Sequence, residues 1–387
     1  MKRFRSILFW VHLGFGVIAS VVILIMSVTG VLLTYQRQIT AWADMRGYHR
    51  TVLTPDLKRL SADALLAKAI ESTPGTRPTA MVIRSDRTAP ASVTVAPGKQ
   101  LFLDPYSGAV LGEGKGQSVR SFFRAVVDWH QELAVSAERQ TTGRALTGAS
   151  NLMFLFLVLS GLWLWWPRVP TWAAFRQVTW FRKCASGKAR DFNWHNTIGF
   201  WSAIPLAIIV VGGVVMSYSW ATALLYRAYG EQPPAAQTPR SGGGQTPPPA
   251  FQGASASLES MVVTAEDRMA GWRTITIALP KPSARNVVLT LDAGDGGQPH
   301  KRATLTLDRH TGSVDKWEPS STLSAARRAR NWLRYAHTGE VYGLAGQTVA
   351  GVVTFGAVVL VWTGIALTLR RFLSWRKRAS GVLSKAA

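Results

Sequence analysis

Apolar residues are gathered into four long runs rather than spread along the chain. Residues 7–33, 146–166, 192–226 and 341–369 contain no Asp, Glu, Lys or Arg. Each reaches or exceeds the roughly 20 residues that a helix needs to cross about 30 Å of hydrocarbon. The pattern therefore predicts four transmembrane helices. Lys2, Arg3 and Arg5 give the first run the opening of a signal peptide. That run is too long for an apolar signal region of about 7–15 residues and shows no clear small-residue cleavage site, so it reads as an uncleaved anchor.

Between the runs lie two long, more polar segments, about 36–144 and 227–336. Each carries an α+β pattern. In the first, 62–72 reads as an amphipathic helix, and 80–84, 91–95 and 100–103 read as strands by β-branched alternation between turn signals. In the second, a helix at 258–269 precedes strands near 272–278, 285–291 and 303–307. Residues 231–254 are rich in Pro, Gly, Gln and Ser, with Pro247, Pro248 and Pro249 in a row, the composition of a flexible linker. The expected fold class is an integral membrane α-helical protein: a four-helix bundle with two outer α+β domains. The expected order is 1–35 (cytoplasmic end and first span), 36–142 (first outer domain and interfacial helix), 143–166 (second span), 167–191 (basic loop), 192–226 (third span), 227–340 (linker, second outer domain and interfacial helix), 341–370 (fourth span) and 371–387 (basic tail).

Charge then orients this arrangement. The chain has 44 Lys+Arg against 21 Asp+Glu, a net charge of +23. Lys2, Arg3 and Arg5 precede the first run. Arg168, Arg176, Arg182, Lys183, Lys188 and Arg190 fill the loop between the second and third. Arg370, Arg371, Arg376, Lys377 and Arg378 follow the fourth. Short loops rich in Lys and Arg stay cytoplasmic, so both termini are expected inside. The basic balance is thus a topology signal, and with no zinc-finger, RNP or basic-zipper pattern it does not point to nucleic acid. A single cysteine, Cys184, excludes an internal disulfide, a Cys-rich zinc site and the C-x-x-C-H of covalent haem.

The two halves repeat weakly. Trp10-Val11-His12-Leu13-Gly14-Phe15-Gly16 opens the first span, and Trp194-His195-Asn196-Thr197-Ile198-Gly199 opens the third. Both contain H-x-x-x-G. Asp104 to Val110 closes the first outer segment as Asp308 to Val314 closes the second, and His130 and His337 each precede a span. His12 and His130 are 118 residues apart and His195 and His337 are 142 apart. The difference is about the length of the linker found only in the second half. Parallel repeats about the membrane normal are a known route to membrane folds.

Four of the seven histidines therefore fall at equivalent places: His12 with His195, and His130 with His337. A lone His near a helix end is ordinarily an interfacial polar residue, but an ionisable residue in a membrane helix is a functional-site hypothesis by default. Two facing imidazoles at one depth can hold a haem iron between them, and iron with two axial histidines favours electron transfer over oxygen chemistry. Gly16 and Gly199, four residues after a histidine and on the same helix face, would leave room for the porphyrin edge. Trp10, Trp129, Trp194, Trp201 and Trp332 could pack on it. The expectation is two non-covalent b haems at two depths, with zinc a lesser option because it wants four close ligands. His49, His300 and His310 read as surface residues. Arg120, Arg124, Arg327, Arg328, Arg330 and Arg334 read as interfacial contacts to anionic lipid headgroups, or as partners of haem propionates or an anionic substrate.

The D-x-x-[ST]-G-x-V endings at Asp104 and Asp308 resemble PepSY domains. PepSY-like segments placed between helices, with H-x-x-x-G on the first and third, resemble the PepSY-associated transmembrane family over nearly the whole chain. The second copy departs from the pattern at Arg309 and His310. The resemblance implies a bacterial inner-membrane protein with periplasmic PepSY-like domains, and an activity: reduction of ferric siderophore by a di-haem protein. No G-x-G-x-x-G follows a strand, so the electron donor is expected to be a membrane quinol or a separate cytoplasmic protein. No G-x-S-x-G or H-E-x-x-H points to hydrolysis. The alternatives are a non-enzymatic PepSY-containing binding or regulatory protein, with structural histidines, and a transporter suggested by the repeat alone.

Overall fold

A computed structural model describes residues 2–50, 57–167, 171–183, 186–233 and 254–386. Arg168, Cys184 and all but the ends of the expected linker lie outside the described residues. The helices are α1 (Lys2–Leu33), α2 (Gln36–Met45), α3 (Ala62–Ser72), α4 (Gln117–Glu132), α5 (Gln140–Trp165), α6 (Trp172–Thr179), α7 (Gly187–Ser217), α8 (Ser219–Ala228), α9 (Leu258–Arg268), α10 (Ala325–His337) and α11 (Gly343–Ala386). The strands are β1 (Ala80–Arg84), β2 (Ala91–Ala96), β3 (Lys99–Leu103), β4 (Val110–Gly112), β5 (Thr274–Ala278), β6 (Asn286–Asp292), β7 (Arg302–Asp308) and β8 (Val314–Pro319). The chain divides into two compact units: Met1–Tyr35, Phe123–Gly230 and Arg330–Ala387 form one, and Gln36–Phe122 and Glu231–Ala329 form the other.

In the first unit the four apolar runs are helical, and among the described residues four helices are long and apolar enough to cross a membrane. Hydrocarbon offers no partners to backbone N–H and C=O groups, and the helix satisfies them internally. α1 and α7 do not pair directly as the main contact; each packs between α5 and α11. Buried polar side chains fasten neighbours: Asn151 on α5 donates to Val210 O on α7 at 3.1 Å, and Gln347 on α11 donates to Thr34 O at 2.7 Å.

Three boundaries differ from the sequence expectation. The run at 192–226 is two helices, because Tyr218 is extended (φ −124°, ψ 124°) and Thr222 Oγ1 caps Val215 O at 2.8 Å. The loop at 167–191 contains α6, whose neighbour Trp165 stacks on Phe200 at 4.3 Å. The first outer segment does not run evenly into the second span at 143: the chain reverses earlier, at Leu133 and Ala134, with φ of 56° and 48°. Gly143 serves this reversal. A Cβ there would lie 2.2 Å from Glu132 O, so only glycine lets the reversed chain pass its own turn.

In the second unit, strand alternation decides what is buried. β7 buries Ala303, Leu305 and Leu307, and β6 buries Val287, Leu289 and Leu291. The two segments were expected as two domains. They form one eight-stranded antiparallel sheet, in the order β4-β3-β2-β1-β5-β6-β7-β8, joined where β1 pairs with β5 from Ala80 with Ala278 to Arg84 with Thr274. A single core unites Leu65, Met81 and Leu103 with Met261, Ile277 and Leu305. The physical reason is edge satisfaction: two short sheets would each expose a strand edge, and pairing them removes both.

α3 and α9 lock this junction by exchanging caps. Asp63 accepts hydrogen bonds from Leu258 N and Glu259 N, both at 2.9 Å, while Glu259 accepts one from Ala62 N at 2.6 Å. Each carboxylate therefore satisfies orphan donors at the start of the other helix. Replacing Asp63 by Ala should lower the stability of this unit by about 1–2 kcal/mol. A thermal melt of the detergent-solubilised chain checks it, and an unshifted transition would show that the exchange contributes nothing.

The D-x-x-[ST]-G endings are turns. Asp104 Oδ1 accepts from Tyr106 N (2.8 Å) and Ser107 N (3.0 Å), as Asp308 Oδ1 accepts from His310 N and Thr311 N, both 2.9 Å. Gly108 and Gly312 take φ of 71° and 74°. The Thr311 N–H, helped by that of His310, holds the Asp308 carboxyl below the ordinary carboxylate range. The motif is thus a structural Asx turn at the β3–β4 and β7–β8 connections.

Candidate functional site

The four repeat-related histidines come together as two pairs, both within the helical unit. α1 carries His12 and α7 carries His195, and the two imidazoles are close enough to interact electrostatically. α4 carries His130 and α10 carries His337, with ring centroids 6.2 Å apart at 66° between planes. The pairs lie toward opposite ends of the bundle. His12 and Thr29, which bonds His130, are 17 residues apart on α1, about 25 Å at 1.5 Å per residue.

Local structure explains how α4 and α10 reach the second site. α4 stops at Glu132, and the left-handed Leu133 and Ala134 turn the chain back into α5. Arg144 grips the Glu132 carboxylate through Nε at 2.9 Å and Nη2 at 2.5 Å. α10 ends at His337, and Gly339, at φ 75°, stops it. A Cβ on Gly339 would meet Gly346 O at 2.4 Å, so the start of α11 closes directly on this turn.

Each imidazole is fixed at Nδ1. The partners are Ser160 Oγ for His12 at 2.8 Å, Thr29 Oγ1 for His130 at 2.9 Å, Thr363 Oγ1 for His195 at 2.9 Å and Ile209 O for His337 at 2.7 Å. Histidines that ligate metals are held in this manner, one ring nitrogen anchored and the other given to the metal. The ring spacing agrees with such use. An imidazole nitrogen lies ~2 Å from a bound transition metal and its centroid ~1 Å further back, so two rings sharing one ion have centroids about 6 Å apart. Each pair offers two nitrogens, fewer than the four donors of a structural zinc site. This donor set fits a group that brings its remaining donors with it, as haem does.

Small residues pack against the rings. A Cβ at Gly161 would lie 3.4 Å from His12 Cε1, at Gly364 3.5 Å from His195 Cε1, and at Gly30 3.6 Å from His130 Cε1. These glycines, with Ser160, Thr363 and Thr29 beside them, escaped the sequence reading. The available signal was the dipeptide of hydroxyl residue and glycine, Ser160-Gly161 and Thr363-Gly364, recurring on the second and fourth spans. Gly16 and Gly199 behave differently: a Cβ there comes no nearer than 4.0 Å to Leu157 Cδ2 and 3.7 Å to Leu360 Cδ2. Packing against a Cβ does not demand glycine at either place.

The other candidates are dispersed. Trp10 lies under the Arg371 guanidinium at 4.8 Å, Trp194 under that of Arg190 at 5.5 Å, and Trp201 donates to Thr179 O at 2.9 Å. Trp129 is exposed. Arg120 pairs with Asp44, and Arg328 donates to Ser321 O at 3.4 Å. His49, His300 and His310 are exposed in the sheet unit.

Compared with known families, residues 9–371 match the family described as the PepSY-associated TM region. No curated protein matches the chain.

Proposed function

Because this chain belongs to the PepSY-associated TM region family and is a multi-pass membrane protein, we propose that it is a di-haem electron-transfer protein of the bacterial inner membrane that reduces ferric siderophore in the periplasm. The observation that carries this reading is the meeting of His130 and His337 with centroids 6.2 Å apart, each anchored at Nδ1. His12 with His195 and His130 with His337 would each hold one b haem. When bound, haem with both axial positions filled supplies a one-electron couple. The chain's own residues would provide four imidazole nitrogens to hold the haems, the Nδ1 partners that orient them, and the apolar helices that exclude water.

The topology follows from the basic residues at 2–5, 176–190 and 370–378, which place the His12 and His195 site toward the cytoplasm. The His130 and His337 site then lies toward the periplasm, and the internal duplication sets one site above the other. A quinol or a cytoplasmic protein is the donor. The acceptor's chemistry requires no general acid or nucleophile. Siderophores hold Fe(III) with hard oxygen donors, and one electron gives Fe(II), which those donors hold less well. Iron leaves and the siderophore stays intact.

An absorption spectrum of the purified protein with and without dithionite tests this directly. Two haems per chain are expected, and anaerobic addition of a ferric siderophore to the reduced protein should reoxidise them as an Fe(II) chelator gains colour. A colourless preparation from haem-replete cells would end the proposal.

A further inference from the structure

We propose that Thr29, Ser160 and Thr363 are positioning residues that fix the tautomer and basicity of the histidines they touch; this rests on the haem reading above. The case is one of proton accounting. A hydroxyl has a single proton to donate. Ser160 Oγ lies 2.6 Å from Phe156 O, Thr363 Oγ1 2.8 Å from Val359 O and Thr29 Oγ1 2.7 Å from Ile25 O. A carbonyl can only accept, so each hydroxyl that donates its proton to the residue one helical turn back is left with lone pairs alone. Toward the histidines each oxygen can then only accept. In that arrangement Nδ1 of His12, His195 and His130 carries hydrogen, and in the neutral ring that leaves the lone pair on Nε2. The fourth histidine obeys the same rule by a different device: Ile209 O, an acceptor only, takes the Nδ1 hydrogen of His337.

The exception has a structural cause. At the offset of 183 residues that relates His12 to His195, Thr29 corresponds to Gly212. A Cβ at Gly212 would lie 2.7 Å from Leu333 O and 3.1 Å from His337 Cβ. α10 packs too closely there for a threonine, and a carbonyl serves instead. All four rings thus reach the ligand-ready tautomer, although no single residue type does it. An accepting partner on Nδ1 also makes the ring a stronger donor at Nε2, which stabilises the more positive, oxidised state of a bound metal.

Redox titration of the haem-loaded protein in detergent, followed optically, tests the proposal on the variants T29V, S160A and T363V. Each should shift the midpoint of one haem upward and leave the other unmoved. S160A and T363V should act on the same haem, T29V on the other, and S160T should restore the wild-type value. Loss of that one haem from a chain that stays monodisperse with wild-type helical content supports the proposal equally. Unchanged haem content and unchanged midpoints in all three variants would overturn it while leaving the haem assignment standing. A colourless wild-type protein would overturn both.

Discussion

Replacing His130 by Ala should halve the haem content, from two per chain to one, and reduce ferric siderophore reduction to background. His337→Ala should remove the same haem, because the two rings are partners at 6.2 Å. His12→Ala and His195→Ala should remove the other. The pairing gives the experiment its force. A double substitution within one pair, such as His130→Ala with His337→Ala, should still leave one haem. A double across pairs, such as His12→Ala with His130→Ala, should leave none. Pyridine haemochrome assays on purified protein count the haems. If the cross-pair double kept one haem and the same-pair double kept none, the rings would be serving along each half of the chain, contrary to their positions here.

The histidines were legible in the sequence because repetition marked them: one His in an apolar run is common, but four at matched places are not. Their supports were not legible. Ser160, Thr363 and Thr29 sit inside apolar runs, where a small hydroxyl residue that bonds its own helix carbonyl is unremarkable. Only the approach of a second helix gives the oxygen its other role. In the sheet unit, α3 and β1 begin and end where periodicity places them, because one face of each is buried and polar turns bound them. The pairing of β1 with β5 was hidden for a general reason. Alternation reports which face of a strand is buried and says nothing about which strand lies at its edge. The turn at Leu133 and Ala134 was hidden for the opposite reason. Positive φ is rare outside glycine, and the sequence offers glycines nearby that serve close approach instead.

Gly212→Val should abolish haem binding at the His130 and His337 site while sparing the other. A Cβ at Gly212 already lies within 2.7 Å of a backbone carbonyl oxygen and 3.1 Å of His337 Cβ. Neither is the far end of a flexible side chain, so α10 must move, and overpacking of this kind costs about 1–3 kcal/mol. The move carries His337 away from Ile209 O and from its partner ring. The absorbance should match that of His337→Ala. Gly16→Val separates this effect from a second one. There a Cβ meets only Leu157 Cδ2, at 4.0 Å, and unchanged helical content and melting are the control that the chain itself accepts the valine. Loss of the His12 and His195 haem in that variant would therefore be a clash with the porphyrin edge, not with the chain. Full haem occupancy in Gly16→Val would mean that the glycine is not part of the cradle, whereas full occupancy in Gly212→Val would contradict the packing of α10 on α7.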